Sequence, residues 1–396
     1  MTVTAVPVRR GWITAYVLAM VGVAAGWFGP IQILLPEQAA RLAGTDGKEA
    51  LLALVTAVGA AASMVSNPLW GALSDRLRSR RLIFIAGTVI GVAGLLVLAA
   101  AGSTGVMVIG WVLVQTGLNG PLAALAALIG DRVPEQQRGT VGALFGVAQI
   151  IGVVLGTALA VAVGQGTPGY LAVAVAVPLL GLALLLINRE PALDRQAERE
   201  RIQWRVLLRP GAQFAWAWAM RFLLNLSNAL VLVYLYYYLS DEVGVTDAAT
   251  WVLVVTVVNV VFAGIAGATG GVLSDRRGKR KIFVAVGAVV MTAGTVLMAL
   301  FPVVPVVLAA SVLVGVGWGA YVAVDMAVMT HVLPDAETRA TMLGVANVAG
   351  TLPQLLAPVL AAPIVTGLGG YPALYLVTSA AALLALVCLP RLRALP

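Results

Sequence analysis

Residues 71–81 read GALSDRLRSRR, and residues 271–281 read GVLSDRRGKRK, so the chain contains one basic stretch twice. The two copies begin 200 residues apart in a chain of 396 residues. A second pair supports this spacing, because GVAQIIG at 146–152 returns as GVANVAG at 344–350. Self-similarity at half the chain length predicts two copies of one structural unit.

The composition places this unit in a membrane. The chain is 61% hydrophobic and 11% charged, with a mean hydropathy of +0.98. A soluble globular domain is about 25% charged. Here charge is excluded from segments of about 20 residues, the length that crosses a bilayer. Cys388 is the only cysteine, which excludes disulfides within the chain and cysteine-based metal sites.

Twelve apolar segments are long enough to cross about 30 Å of hydrocarbon at about 1.5 Å per residue. We therefore predict an all-α integral membrane protein with two pseudo-symmetric six-helix bundles, at 1–188 and 211–396. Alternating charges at 189–210 predict a solvated cytoplasmic linker between them. The predicted spans are 12–35, 50–71, 82–102, 104–130, 140–163, 168–188, 211–239, 248–273, 282–301, 303–333, 340–364 and 370–390.

The basic residues predict the orientation. Of 25 lysines and arginines, only Arg41 and Lys48 fall in loops on one side, and Arg221 lies inside a span. The remaining 22 share the side of both termini. Positive charge marks the cytoplasmic side, so both termini are predicted in the cytoplasm, with the chain in the cell (inner) membrane. The net charge of +8 is spread over separate loops, a pattern that argues against a nucleic-acid surface.

The two basic stretches resemble the signature between helices 2 and 3, and again between helices 8 and 9, of the major facilitator superfamily. The resemblance covers the whole chain, since that family has twelve spans, two six-helix halves and a charged middle loop. It implies a transporter built from parallel repeats.

Two motifs resemble the sugar-type branch, the sucrose–proton and glycoside–cation symporters. They are NPLWGALSDRLRSR at 67–80 and DRVPEQQRGT at 131–140. Span 4 departs from the sucrose carriers, because it contains Gln115 and Asn119 but no charge before Asp131. Span 1 also lacks the aspartate that sodium–melibiose-type carriers use.

The acids and arginines of the basic stretches are predicted to form a cytoplasmic gate. A carboxylate at a helix end can bond helix N-termini and arginines, and release them when the halves rock. The alternative is that these charges only set the topology. The predicted gate residues are Asp75, Arg76, Arg80, Asp275, Arg276 and Arg280.

Two ionisable residues lie deep in predicted spans, Arg221 in span 7 and Asp325 in span 10. Each is about 9 or 10 residues from the end of its span, which corresponds to a depth of roughly 13–15 Å. The family resemblance implies that spans 1, 4, 7 and 10 line a central cavity. An isolated charge there costs several kcal/mol, so the two are predicted to pair. Their first-half equivalents, Val21 and Leu125, are apolar, which favours a functional role.

Polar and aromatic neighbours predict a substrate site around this pair. Arg221, Asn225 and Asn228 share one helix face, as do Trp318, Tyr321 and Asp325. An aromatic surface beside amides and charges suits a sugar-like ring, with Trp318 or Trp27 stacking on it. Further candidates for the wall of the site are Gln32, Gln115, Asn119, Gln149, Asn347 and Gln354.

Asp325 is the predicted proton carrier. A substrate that engages Arg221 would free Asp325 to take up a proton, which couples the two movements. The competing interpretation is a static ion pair that locks helices 7 and 10. Glu37, near the outer end of span 1, is a second candidate for coupling.

These patterns predict a secondary transporter, coupled to protons or alternatively to sodium, that moves a small polar solute such as a sugar or glycoside by alternating access. The alternative is a proton-antiporting drug or metabolite exporter of the same fold, and a non-transporting membrane sensor is a third hypothesis. An enzyme is disfavoured because the sequence has no nucleophile–base set and no phosphate loop. No cofactor or metal is expected. The expected partners are the solute, the coupling ion and the lipid bilayer, and a monomer suffices.

Overall fold

The computed structural model describes residues 8–188, 211–332 and 339–392. The chain divides into two compact units, Met1–Gln196 and Ala197–Pro396. The predicted linker at 189–210 lies outside the described residues. The first unit contains α1 (Arg10–Ala43), α2 (Lys48–Leu77), α3 (Arg80–Ala99), α4 (Thr104–Arg132), α5 (Glu135–Val163) and α6 (Thr167–Ile187). The second contains α7 (Ala212–Val233), α8 (Ala248–Arg277), α9 (Arg280–Leu300), α10 (Val304–His331), α11 (Arg339–Gly367) and α12 (Gly370–Cys388).

All twelve helices include a stretch long and apolar enough to cross a membrane, and the described ranges contain no strand. The prediction of an all-α membrane protein with twelve spans is confirmed. The repeat is also visible in the helix boundaries. Helices α2, α3 and α4 begin at residues 48, 80 and 104, and α8, α9 and α10 begin at 248, 280 and 304.

The predicted ends of spans 2 and 8, at residues 71 and 273, are wrong, because both helices continue into the basic stretches. Helix α2 continues through the first stretch to Leu77, and only Arg78 and Ser79 separate it from α3. The charged residues do not break a helix, because they lie past the apolar part of the span where water can solvate them. The turn itself needs a left-handed backbone, with φ of 52° at Arg78 and 65° at the equivalent Gly278.

Glycine pairs set the packing of the third helix on the fourth helix in each unit. A Cβ added to Gly87 would lie 2.6 Å from the carbonyl oxygen of Gly117. In the second unit, a Cβ on Gly287 would lie 2.7 Å from the carbonyl oxygen of Gly317. Lipid supplies no hydrophobic drive between helices, so such close backbone approach is a main source of their association.

In each unit, a π-helical segment occurs within or after the C-terminal part of the first helix. In α1, the Leu35 N–H bonds to the Pro30 carbonyl, so residues Pro30–Leu34 form one wide π-helical turn. After α7, a short turn at Leu235–Tyr237 leads into a second π-helical segment, Tyr238–Glu242.

We expect Gly287→Ala to lower the thermal stability of the protein in detergent. The added methyl group cannot fit between α9 and α10 without a shift, and overpacking of this kind costs about 1–3 kcal/mol. Gly264→Ala in α8 is the matched control, because a Cβ there meets no atom within 4 Å. Equal unfolding temperatures for the two variants would show that the glycine contact does not set the packing.

Candidate functional site

Arg221 on α7 and Asp325 on α10 form an ion pair inside the second unit. The Nη1 atom of Arg221 lies 2.8 Å from Oδ2 of Asp325, and each side chain is only 12% exposed. Arg221 is near the middle of α7, so the pair lies in the apolar part of the span. A buried pair of this kind joins two helices and leaves neither charge isolated.

Two further side chains complete what we call the polar network, formed by Arg221, Asn225, Tyr321 and Asp325. The Tyr321 hydroxyl donates to Oδ1 of Asp325 at 2.7 Å. The Asn225 amide nitrogen donates to the Arg221 carbonyl at 2.8 Å and reaches the Tyr321 hydroxyl oxygen at 3.4 Å. Both carboxylate oxygens of Asp325 are therefore engaged. Tyr321 is fully buried, so it holds Asp325 and offers no open ring face.

Aromatic side chains on α7 and α10 lie close in sequence to the residues of the polar network. Trp318 is half-buried and its ring centroid lies 5.4 Å from that of Tyr321. On α7, the rings of Trp218 and Phe222 are stacked at 5.5 Å. The Trp218 indole N–H donates to the Val345 carbonyl at 2.9 Å, which ties α7 to α11. The network thus lies among α7, α10 and α11.

The equivalent positions in the first unit are apolar and closed. Val21 and Leu125 are both buried. The Tyr16 hydroxyl donates to the Leu125 carbonyl at 2.9 Å, so the polar group nearby is satisfied by backbone. The polar network is therefore not a feature that the repeated fold itself requires.

Several predicted wall residues instead hold helices together within the first unit. Asn119 donates to the Ser63 hydroxyl oxygen at 2.8 Å and to the Gln115 carbonyl at 2.6 Å. The buried Gln32 accepts a hydrogen bond from Thr157 at 2.9 Å. The remaining candidates differ in exposure. Trp27, Gln115 and Asn228 are half-buried, whereas Gln149, Asn347 and Gln354 are exposed.

Glu37 lies in the first unit and pairs with Arg41, one helical turn later, at 3.3 Å. Its second carboxylate oxygen, Oε2, is buried without a hydrogen-bond partner among the described residues. Glu37 is thus a partly satisfied acid with an i,i+4 neighbour, and no tyrosine among the described residues donates a hydrogen bond to it as Tyr321 does to Asp325.

In the first unit, Arg80 is the centre of the predicted gate. Its guanidinium lies 2.7 Å from Asp75 and 2.8 Å from Asp131, and it donates to the Ser74 hydroxyl oxygen at 2.7 Å. Asp131 was not among the predicted gate residues. Its place at the end of α4, in the DRVPEQQRGT motif, is the sequence signal that could have identified it. Arg76 is exposed.

The second copy of this stretch has different contacts. Arg280 donates to the Ala327 carbonyl on α10 at 3.1 Å. Arg276 is exposed, and the side chain of Asp275 lies outside the described residues. The position equivalent to Asp131 is His331, so the second unit has a histidine where the first unit has an acid bound to Arg80.

We expect Asp325→Ala to destabilise the protein strongly, because it leaves Arg221 buried without its counter-charge. Breaking a buried pair on one side costs about 3–5 kcal/mol. The double variant Arg221→Ala with Asp325→Ala should recover part of this loss in a thermal unfolding assay. Wild-type stability of Asp325→Ala would contradict a role for the pair in holding α7 to α10.

Comparison with known proteins gives both a sequence match and a fold match. The sequence profile described as Major Facilitator Superfamily matches residues 14–269 and 217–396. No curated protein is significantly similar to the chain in sequence.

Three solved transporter structures have a similar fold. Their sequence identities to this chain are low, so the similarity concerns the fold alone. A mutant of the nucleoside transporter NupG has 14% identity and a TM-score of 0.79, over 97% of this chain and 100% of that one. NupG itself has 12% identity and a TM-score of 0.76, over 97% and 99%. A bacterial homolog of the human lysosomal transporter Spinster, inward-facing and unoccupied, has 16% identity and a TM-score of 0.69, over 97% and 94%.

Proposed function

Because the chain belongs to the Major Facilitator Superfamily, we propose that it is a proton-coupled secondary transporter of a small polar solute such as a sugar or glycoside. The family and the solved neighbours point to a transporter and not to an enzyme. Transport proceeds by alternating access, in which the binding site opens to each side of the membrane in turn. The observation that supports this proposal most strongly is the polar network around Arg221 and Asp325.

The coupling role of Asp325 follows from its contacts. Arg221 and Tyr321 contact both carboxylate oxygens, and both contacts favour the charged form of the acid. A solute that binds the Arg221 guanidinium, at Nη1 or at a neighbouring nitrogen, draws it away from Asp325. A carboxylate without its partner costs several kcal/mol inside the membrane, so Asp325 then takes up a proton. Proton and solute thereby occupy the site together.

The surroundings of the pair favour an uncharged, hydrogen-bonding solute. While the pair is intact, Asp325 balances the charge of Arg221, so an approaching anion gains little net attraction. Asn225 and Asn228 supply amide groups on the same face of α7, and the half-buried Trp318 supplies an aromatic surface. A ring that bears hydroxyl groups suits this combination. NupG is a nucleoside transporter, so nucleosides belong with glycosides among the candidate solutes.

The Arg80 cluster is the proposed gate of the first unit, with Asp131 added to the predicted Asp75, Arg76 and Arg80. Arg80 binds two acids and a serine in the described structure, so it can release them one at a time during the cycle. Arg276 and Arg280, together with Asp275, form the proposed counterpart in the second unit.

The positive loops support a location in the cell (inner) membrane, with both termini in the cytoplasm. The proposed working unit is a monomer that holds one solute and one proton in the bilayer.

Asp325→Asn provides the test of coupling. In proteoliposomes, the wild-type chain should accumulate radiolabelled methyl glucoside or uridine when the outside is made acidic. Asp325→Asn should exchange the same solute across the membrane but lose accumulation driven by the pH gradient, because an amide cannot carry the proton.

Glu37→Gln is the matched control, since it makes the same change at the other candidate acid. It should retain accumulation driven by the pH gradient. Unchanged pH dependence in Asp325→Asn would refute the proposed role, and loss in Glu37→Gln alone would transfer it to Glu37. Gradient-driven movement of ethidium, with no sugar or nucleoside transport, would favour the proton-antiporting exporter.

A further inference from the structure

Gly350 ends the second copy of the repeated seven-residue stretch, and its surroundings differ from those of its equivalent, Gly152. In the first unit, a Cβ on Gly152 would lie 2.6 Å from the Val21 carbonyl and would overlap the Ala24 side chain. Gly152 therefore permits direct contact between α5 and α1. In the second unit, Gly350 has different neighbours, because Arg221 occupies the position equivalent to Val21.

A Cβ on Gly350 would meet side-chain atoms at ordinary contact distance. It would lie 3.7 Å from Nη2 and 3.8 Å from Nε of Arg221, and 4.0 Å from Oδ1 of Asn225. No backbone of α7 comes closer than these atoms. The missing side chain at residue 350 therefore leaves a space that faces the polar network.

The edge of the Arg221 guanidinium that contains Nε and Nη2 lies nearest to this space. The Nη1 atom bonds to Asp325, whereas the Nε–H is buried and has no acceptor among the described residues. A buried donor without an acceptor costs about 1–3 kcal/mol. Such a group inside a polar network is expected to have a partner in the working protein.

Asn225 supplies an acceptor beside this donor. Its amide nitrogen donates to the Arg221 carbonyl and reaches the Tyr321 hydroxyl, which orients the amide group. The oxygen, Oδ1, is the Asn225 atom nearest to residue 350. A donor and an acceptor thus lie within 4.0 Å of the same point.

We propose that the space beside Gly350 is a subsite that binds one hydroxyl group of an uncharged solute. The hydroxyl oxygen accepts from Nε–H of Arg221, and its proton is donated to Oδ1 of Asn225. A carboxylate oxygen has no proton for Oδ1, so the subsite selects a hydroxyl group over a carboxylate. This inference rests on the proposed function and adds Gly350 as the residue that keeps the subsite open.

Gly350→Ala tests the subsite, because the methyl group fits at van der Waals distance and fills the space. The readout is the dissociation constant for methyl glucoside and uridine, from ligand-induced thermal stabilisation of the full chain in detergent. We expect binding to weaken roughly 10- to 100-fold, because this is the usual effect of losing a hydrogen bond to a charged group. Gly367→Ala on the same helix is the control, because a Cβ there meets nothing within 4 Å. It should bind like wild type.

Monodeoxy analogues of the solute that binds provide a second measurement that does not depend on a variant. One analogue should bind the wild-type chain about tenfold more weakly than its parent, and that analogue should lose no further affinity in Gly350→Ala. Acetate, which has a carboxylate and no hydroxyl group, should not stabilise the wild-type chain.

Equal affinity of wild type and Gly350→Ala for the neutral probes overturns the inference. Stabilisation of the wild-type chain by acetate also overturns it, as does the failure of every neutral probe to stabilise that chain. The coupling proposal fails separately, if Asp325→Asn still accumulates solute along a pH gradient while Gly350→Ala has lost binding.

Discussion

A charge inside a bilayer must have a partner, and the Arg221–Asp325 pair is where this protein meets that requirement. A charge without a partner there costs several kcal/mol, which explains why the basic residues collect at helix ends and in loops. The pair also fixes α7 against α10, and Tyr321 and Asn225 are oriented by it. In the proposed mechanism, a solute that draws Arg221 away from Asp325 makes the charged form of the acid less stable, which links solute binding to protonation.

The two units share a scaffold and differ in what occupies it. Gly87 with Gly117, and Gly287 with Gly317, bring helix backbones to nearly the same closeness in both units. This contact is repeated because helix packing in lipid depends on it. Gly152 and Gly350 show the opposite case, in which the same small residue permits backbone packing in one unit and leaves room for charged and amide side chains in the other. Function in this protein is therefore expected at positions where the repeat is broken.

The sequence predicts the fold well because membrane spans follow from length and composition alone. The pairing of Arg221 with Asp325 was also predictable, since two opposite charges at equal depth leave few alternatives. The sequence does not predict which neighbouring helix packs against a given face of each span. Helical spacing placed Tyr321 beside Asp325 but did not show that its ring is buried. In the same way, Asn119 and Gln32 were polar residues in spans, and only the packing shows that Ser63 and Thr157 satisfy them.

The central claim is that solute binding changes the protonation of Asp325. The most direct measurement is the pH change of a weakly buffered detergent solution of the purified protein when a solute that binds to it is added. The account predicts proton uptake by the wild-type chain, approaching one proton per bound solute, and none by Asp325→Asn at saturating solute. Equal proton uptake by both proteins would contradict it and would place the coupling group elsewhere.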